Sequence, residues 1–321
     1  MRTLMSIHDL KISIRILRRN RVYSGSKYID LKPLLMTIEM KKTIGFFLIT
    51  ALFFSCGGLQ NDPKTENATV IENPTNKVLL SSEIVWEKLN PARGDQSPQA
   101  GTIWGDRKGT VATGFLAKFV DGFSSPPHIH NVTYRAVVIK GLVHNDDPNA
   151  ENMWMKPGSF WTQPLGEPHV TSAQGAENIA LVEIDQGPYL VRPIREAFDD
   201  GERPINIEVS NVVWLSNDKT NWIDSKSKAE ISFLLETGAD KSLFVKLPKG
   251  YSGVIETNGT VLHAVVTKGE LNYQLPKNDE IKVLDLGSYF GSTDKAIHRI
   301  SNTAEGETVI YVRTNGQVKV R

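Results

Sequence analysis

The 321-residue sequence predicts an all-β protein made of two tandem barrels of one design. Three observations carry this expectation. Short β-branched and aromatic runs such as "TVATGFLAKFV", "YRAVVIKG" and "ENIALVEID" are cut by Gly, Pro, Asn and Asp at the spacing of strands and turns, with no helical period between them. A shift of 128 residues lays Ser82–Trp86 on Ser210–Trp214, Lys118 on Lys246, Gly122 on Gly250 and Gly141 on Gly269. One further residue of offset lays Gly158 on Gly287 and His169 on His298, so a register kept over more than 80 residues marks two copies of one unit.

Taken in order, the chain begins with a basic segment, residues 1–39, which precedes an export signal and is therefore expected to lie upstream of the true start at Met40. Residues 40–55 form that signal: Lys41 and Lys42, eleven apolar residues from Ile44 to Phe54, then a small-residue exit. Eleven residues span about 17 Å as a helix, short of a bilayer core. The only cysteine, Cys56, follows at once and excludes an internal disulfide. Its setting resembles a bacterial lipoprotein signal, which implies lipidation of Cys56 and a cell-envelope location. Residues 56–81 are polar and rich in Pro, Asn and Thr, as a flexible tether would be. The first barrel is expected at 82–190, a linker with one helical turn at 191–209 and the second barrel at 210–321.

Residues 1–55 hold ten of the 37 Lys/Arg and three of the 36 Asp/Glu, so the remaining 27 and 33 leave a body of net charge −6. A mildly acidic body without a basic cluster excludes nucleic acid as partner, because phosphate binding needs concentrated Lys and Arg. The expected partners are a small-molecule ligand, the membrane through the lipid anchor alone, and a second copy of the chain in a homo-dimer.

The first copy carries two spaced motifs. Gly122 is followed after five residues by His128, then by His130, Tyr134 and Gly141; Gly158 is followed after five by Pro164, then by Gly166 and His169. Here the chain resembles the cupin superfamily, whose motifs are G-x5-H-x-H-x3-4-E-x6-G and G-x5-P-x-G-x2-H-x3-N. Every spacing matches, and two letters differ: Tyr134 replaces Glu and Ala173 replaces Asn. The resemblance covers about residues 82–321 and implies two jelly-roll (double-stranded β-helix) barrels. It is nearest to a bicupin family of unknown function and more distantly similar to the three-histidine acetylacetone-cleaving dioxygenases.

The residues support this reading independently. Alternate residues of a strand share a face, so His128, His130 and Tyr134 point together into a small barrel, and Pro164 and Gly166 allow the turn that returns His169 to the same point. Three converging imidazoles suit a divalent transition metal such as Fe or Zn. Without the usual carboxylate the metal keeps its full charge, which favours an anionic or enolate ligand. Tyr134 can coordinate as phenolate, hydrogen-bond a metal-bound water or only pack; the hydrogen-bonding role is the expectation. His144 reads as a loop-edge residue. Glu183 either faces the pocket as an acid or sits solvated on its strand, and Trp154, Trp161 and Gln163 either line the pocket mouth or fill the core. The second copy sets Glu256, Asn258 and Leu262 against the three motif positions and keeps only His298, a poor metal site. Two functions follow: a small-molecule metalloenzyme with dioxygenase-like or Lewis-acid chemistry, or an envelope-anchored binding or sensor protein.

Overall fold

The computed structural model describes residues 76–321. The upstream segment, the signal, Cys56 and the tether up to residue 75 lie outside the described residues. The described chain is almost entirely β. The first ten strands are β1 Lys77–Leu79, β2 Glu87–Lys88, β3 Gln99–Trp104, β4 Thr113–Phe119, β5 His128–His130, β6 Tyr134–Asp146, β7 Phe160–Gln163, β8 Val170–Ile184, β9 Val191–Pro193 and β10 Ile205–Ile207. The remaining ten are β11 Glu230–Thr237, β12 Asp240–Leu247, β13 Ser252–Thr257, β14 Leu262–Lys268, β15 Leu271–Gln274, β16 Ile281–Leu284, β17 Tyr289–Ser292, β18 Ala296–Ser301, β19 Thr308–Thr314 and β20 Val318–Val320.

A seven-stranded sheet, ordered β10-β7-β6-β8-β4-β3-β2, forms the first barrel with the β5-β9 pair. The second barrel closes a six-stranded sheet, β1-β17-β14-β19-β12-β11, against a five-stranded one, β16-β15-β18-β13-β20. The repeat is visible in the turns: Gly122 and Gly250, Gly141 and Gly269, and Gly158 and Gly287 all adopt positive φ. At Gly141 a Cβ would stand 2.0 Å from the Asn178 Oδ1, so only glycine fits the bend in β6.

The two copies exchange their first strands. β1 precedes the first copy yet pairs with β17 of the second barrel, and β10, whose first residue stands 128 positions after Lys77, pairs with β7 of the first. The 191–209 stretch thus carries two strands, β9 and β10, and its helical content is one 3₁₀ turn, Ile194–Glu196, and the start of a second, Val209–Asn211.

Strand alternation sorts side chains between two environments. Phe115, Ala117, Ala136, Val138, Ala180 and Val182 point into the first barrel. Their neighbours Leu116, Val137, Ile179 and Leu181 point the other way and pack on Phe244, Val265, Tyr289 and Tyr311 of the second. Glu183 belongs to this second set. It is buried between the barrels, where the Tyr311 hydroxyl donates to its Oε2 at 2.6 Å, so it is neither a pocket acid nor a solvated strand residue. Beside it Arg313 pairs with Asp185 at 2.6 Å and Asp240 at 2.7 Å, and Arg135 also pairs with Asp185. His263, one residue after the inward-facing Leu262, stacks on Trp104 of the first barrel with centroids 4.3 Å apart.

Candidate metal centre

β5 and the turn before β8 build the site. His128 and His169 face each other as an antiparallel backbone pair, with N–H to O=C distances of 3.1 and 3.0 Å. The turn between them is tied down: the Gly166 N–H donates to the His130 carbonyl at 2.9 Å, and the Phe198 N–H donates to the Gly166 carbonyl at 3.1 Å. Gly166 has φ 77°, and a Cβ there would meet the Phe198 ring at 2.8 Å, which explains glycine in the second motif.

The structure brings His128, His130 and His169 together, with one ring nitrogen from each within 4.8 Å of the others. Each Nδ1–H has a backbone carbonyl as acceptor: Pro126 at 2.9 Å for His128, Leu190 at 3.1 Å for His130 and Glu167 at 3.2 Å for His169. Carbonyls only accept, so each ring presents Nε2 as its lone-pair nitrogen. The Nε2 of His169 is buried without a protein partner. Burial lowers all three histidines: His128 below its usual value, His130 further with help from the charges of His169 and His128, and His169 to about 3, His128 contributing. Three neutral imidazoles, clustered and oriented through Nδ1 so that Nε2 is left as the donor atom, fit a divalent transition metal.

Tyr134 lies beside this cluster, its ring centroid 5.3 Å from that of His130 and 6.1 Å from that of His169. Its hydroxyl donates to the Asn145 Oδ1 at 2.9 Å, which also accepts from Thr171 at 2.7 Å. The Asn145 amide donates to Gln163, and Gln163 donates to the Glu167 carbonyl that holds His169. Burial pushes the Tyr134 phenol upward, against ionisation. A second tyrosine, not singled out by the sequence motifs, comes closer to the cluster: the Tyr189 hydroxyl lies 3.1 Å from the His130 Nε2. It enters from the loop between β8 and β9, 59 residues away in sequence. No local spacing signals such a contact.

The cluster opens into a cavity of about 420 Å³ lined by Phe115, Phe119, Phe123, Trp161, Val182 and Tyr189 among others. Arg93 is the single cationic side chain lining it, placed over the Phe123 ring at 5.1 Å; none of the described lining residues is a carboxylate. Trp161 therefore lines the cavity, while Gln163 is a buried link in the polar network and Trp154 packs edge-on near His144. His144 departs from the loop-edge expectation: it is buried within β6 opposite Ser172 and accepts the Met153 N–H.

The second barrel has no counterpart to this cluster among the described residues. His298 is occupied at both nitrogens, by the Tyr273 hydroxyl at 2.7 Å and the Ser292 hydroxyl at 3.0 Å. Opposite it stands Ile255, where His128 faces His169 in the first barrel. The residues taking the places of His128 and His130 are thus Ile255 and Thr257, one position earlier than the motif register suggests. Glu256 turns outward to Arg321 at 3.0 Å. A one-residue slip exchanges the faces of a strand, and apolar side chains fill the interior instead.

The fold recurs in solved structures. A Nostoc punctiforme protein assigned as a dioxygenase superposes with TM-score 0.60 at 12% identity, covering 77% of this chain and 87% of that one. The oxalate decarboxylase of Lactobacillus farciminis, solved with formate, superposes with TM-score 0.51 at 8% identity over 77% and 87%. The 7S globulin of Momordica charantia gives 0.51 at 10% identity over 76% and 85%. At such identities the likeness is one of fold. A comparison with curated proteins finds no match. A family model described as a domain of unknown function, DUF4437, spans residues 77–321, the whole double barrel, and the chain therefore belongs to the DUF4437 family.

Proposed function

We propose that the first barrel is a metalloenzyme centre in which His128, His130 and His169 hold one divalent transition metal and a small anionic or enolisable molecule is transformed. The observation that carries this reading is the convergence of three imidazoles, each with its Nδ1 held by a backbone carbonyl, at the wall of an apolar cavity. When bound, the metal supplies Lewis acidity and, if it is iron, access to dioxygen chemistry. The chain supplies the surroundings. The aromatic walls exclude water, Arg93 offers its charge to an anionic group at the cavity edge, and three neutral ligands leave the metal charge for that anion to offset. The absence of a carboxylate among the described lining residues leaves no carboxylate to act as proton acceptor, which supports redox or Lewis-acid chemistry over base catalysis. The same absence favours the second reading, a metal-dependent binding or sensor protein without turnover.

Export by the 40–55 signal and lipidation of Cys56 complete the proposal, with the barrels held at the cell envelope. Metal analysis of the untagged full-length protein should give about one metal per chain, falling to near zero in His128→Ala. Per folded chain, His298→Ala should leave it unchanged. Two metals per chain would overturn the reading. Oxygen uptake with a panel of 1,3-dicarbonyls separates enzyme from binding protein.

A further inference from the structure

Two consecutive residues hold the His130 ring from both sides. Its Nδ1–H donates to the Leu190 carbonyl at 3.1 Å, so Nε2 carries the lone pair and the Tyr189 hydroxyl, 3.1 Å away, is the donor to it. The Tyr189 ring lies over the imidazole with centroids 4.4 Å apart at 21°. The segment is anchored by its main chain. The Asn131 side chain donates to the Pro188 carbonyl at 2.9 Å and accepts the Leu190 N–H at 2.8 Å, and the Tyr189 N–H donates to the Arg107 carbonyl at 3.2 Å. The phenol is therefore fixed in the cavity wall beside a ligand atom, whereas the Tyr134 hydroxyl is committed to Asn145.

A lone pair shared with a metal no longer accepts this hydrogen bond. The Tyr189 O–H would then be a buried donor without a partner in an apolar wall, an arrangement proteins avoid. We propose that Tyr189 is the specificity-determining donor of the site: it gives its hydrogen bond to the anionic oxygen of the small molecule bound beside His130, and so selects enolates and carboxylates over ligands that bind through nitrogen. This rests on the metal reading above and adds to it the residue that selects the anionic ligand.

The test uses the cobalt-loaded full-length protein, with acetylacetone and imidazole as probes followed by absorption. Tyr189→Phe should keep the wild-type metal content, weaken acetylacetone about tenfold or more, as expected for a lost hydrogen bond to a charged group, and leave imidazole affinity unchanged. Equal acetylacetone affinity in the two proteins overturns the assignment, as does equal weakening of both probes. Loss of metal from Tyr189→Phe, or a phenolate-to-iron absorption band in the ferric wild type that this variant lacks, would make Tyr189 a ligand and also overturn it. A wild type that holds no metal refutes the metal reading itself, a result read separately from the affinities.

Discussion

At the scale of single residues, Tyr134 stands where the motif has a carboxylate, and two phenols flank the His130 ring. Tyr134 closes a buried chain through Asn145 and Gln163 to the carbonyl that orients His169, while Tyr189 reaches the His130 Nε2 directly. Tyr134→Phe removes one hydrogen bond but leaves the Asn145 Oδ1 its Thr171 donor. It should therefore cost about 1 kcal/mol in denaturant unfolding and keep metal content near that of the wild type. A strong loss of metal would instead make the phenol a ligand. Tyr134→Glu places a carboxylate beside His130 and His169. Metal should be held at least as tightly and acetylacetone more weakly, because the added charge competes with the anion; unchanged affinity for both would reduce Tyr134 to packing. The histidine spacing was legible in the sequence because the motif is local. Tyr189 was not, since only the closing of the barrel brings it to His130.

At the scale of elements, the turn glycines and the 128-residue offset showed the repeat, but not the exchange of first strands. β1 and β10 are three residues each in polar surroundings, too short to show a period. Glu183 was illegible for a related reason: the second half of β8, residues 178–184, is buried on both faces, so polarity alone does not say which face meets the cavity and which the partner barrel. The slip that puts Ile255 opposite His298 is a change of pairing register that leaves the flanking Gly250 and Gly269 in step. One consequence is measurable. β5, which carries His128 and His130, has β9 on one side, as His128 with Pro193 and His130 with Val191, and on the other the bridge from His128 to His169, and β7 is flanked by β10. A chain ending at residue 190 keeps all three histidines and loses both strands together with the second barrel that covers Leu116, Val137, Ile179 and Leu181. It should bind far less than one metal per chain and unfold at lower denaturant than the intact protein, and full occupancy in that fragment would show that the motif assembles without the exchanged segment.

At the scale of the whole molecule, the barrels share one interface of aromatic rings, an aliphatic layer and a buried ionic group, so acid should affect them together. Burial lowers His298 and His263 to about 3, Arg313 adding to the effect at His263. Unfolded histidine titrates near 6.5, so between about pH 6.5 and 3 the unfolded chain binds more protons and stability rises with pH. The contribution of these two residues is fully present above about pH 6.5 and is lost as pH falls. Glu183, pushed upward by burial, acts in the opposite sense from about pH 4.5 upward and offsets part of the slope. Each unopposed histidine is worth about 1.4 kcal/mol per pH unit, so metal-free protein should lose about 2 kcal/mol or more between pH 6.5 and 5. Urea midpoints that stay flat over that range would refute the assignment of neutral buried histidines. The route to the envelope is tested at the same scale. If the signal ending at Ser55 is used and Cys56 is lipidated, the mature protein partitions with membranes and Cys56→Ser releases or mislocalises it. Wild-type protein recovered from cytosol with Met1 intact would contradict both the start at Met40 and the anchor, while leaving the metal centre, which lies wholly within the double barrel, to be judged on its own measurements.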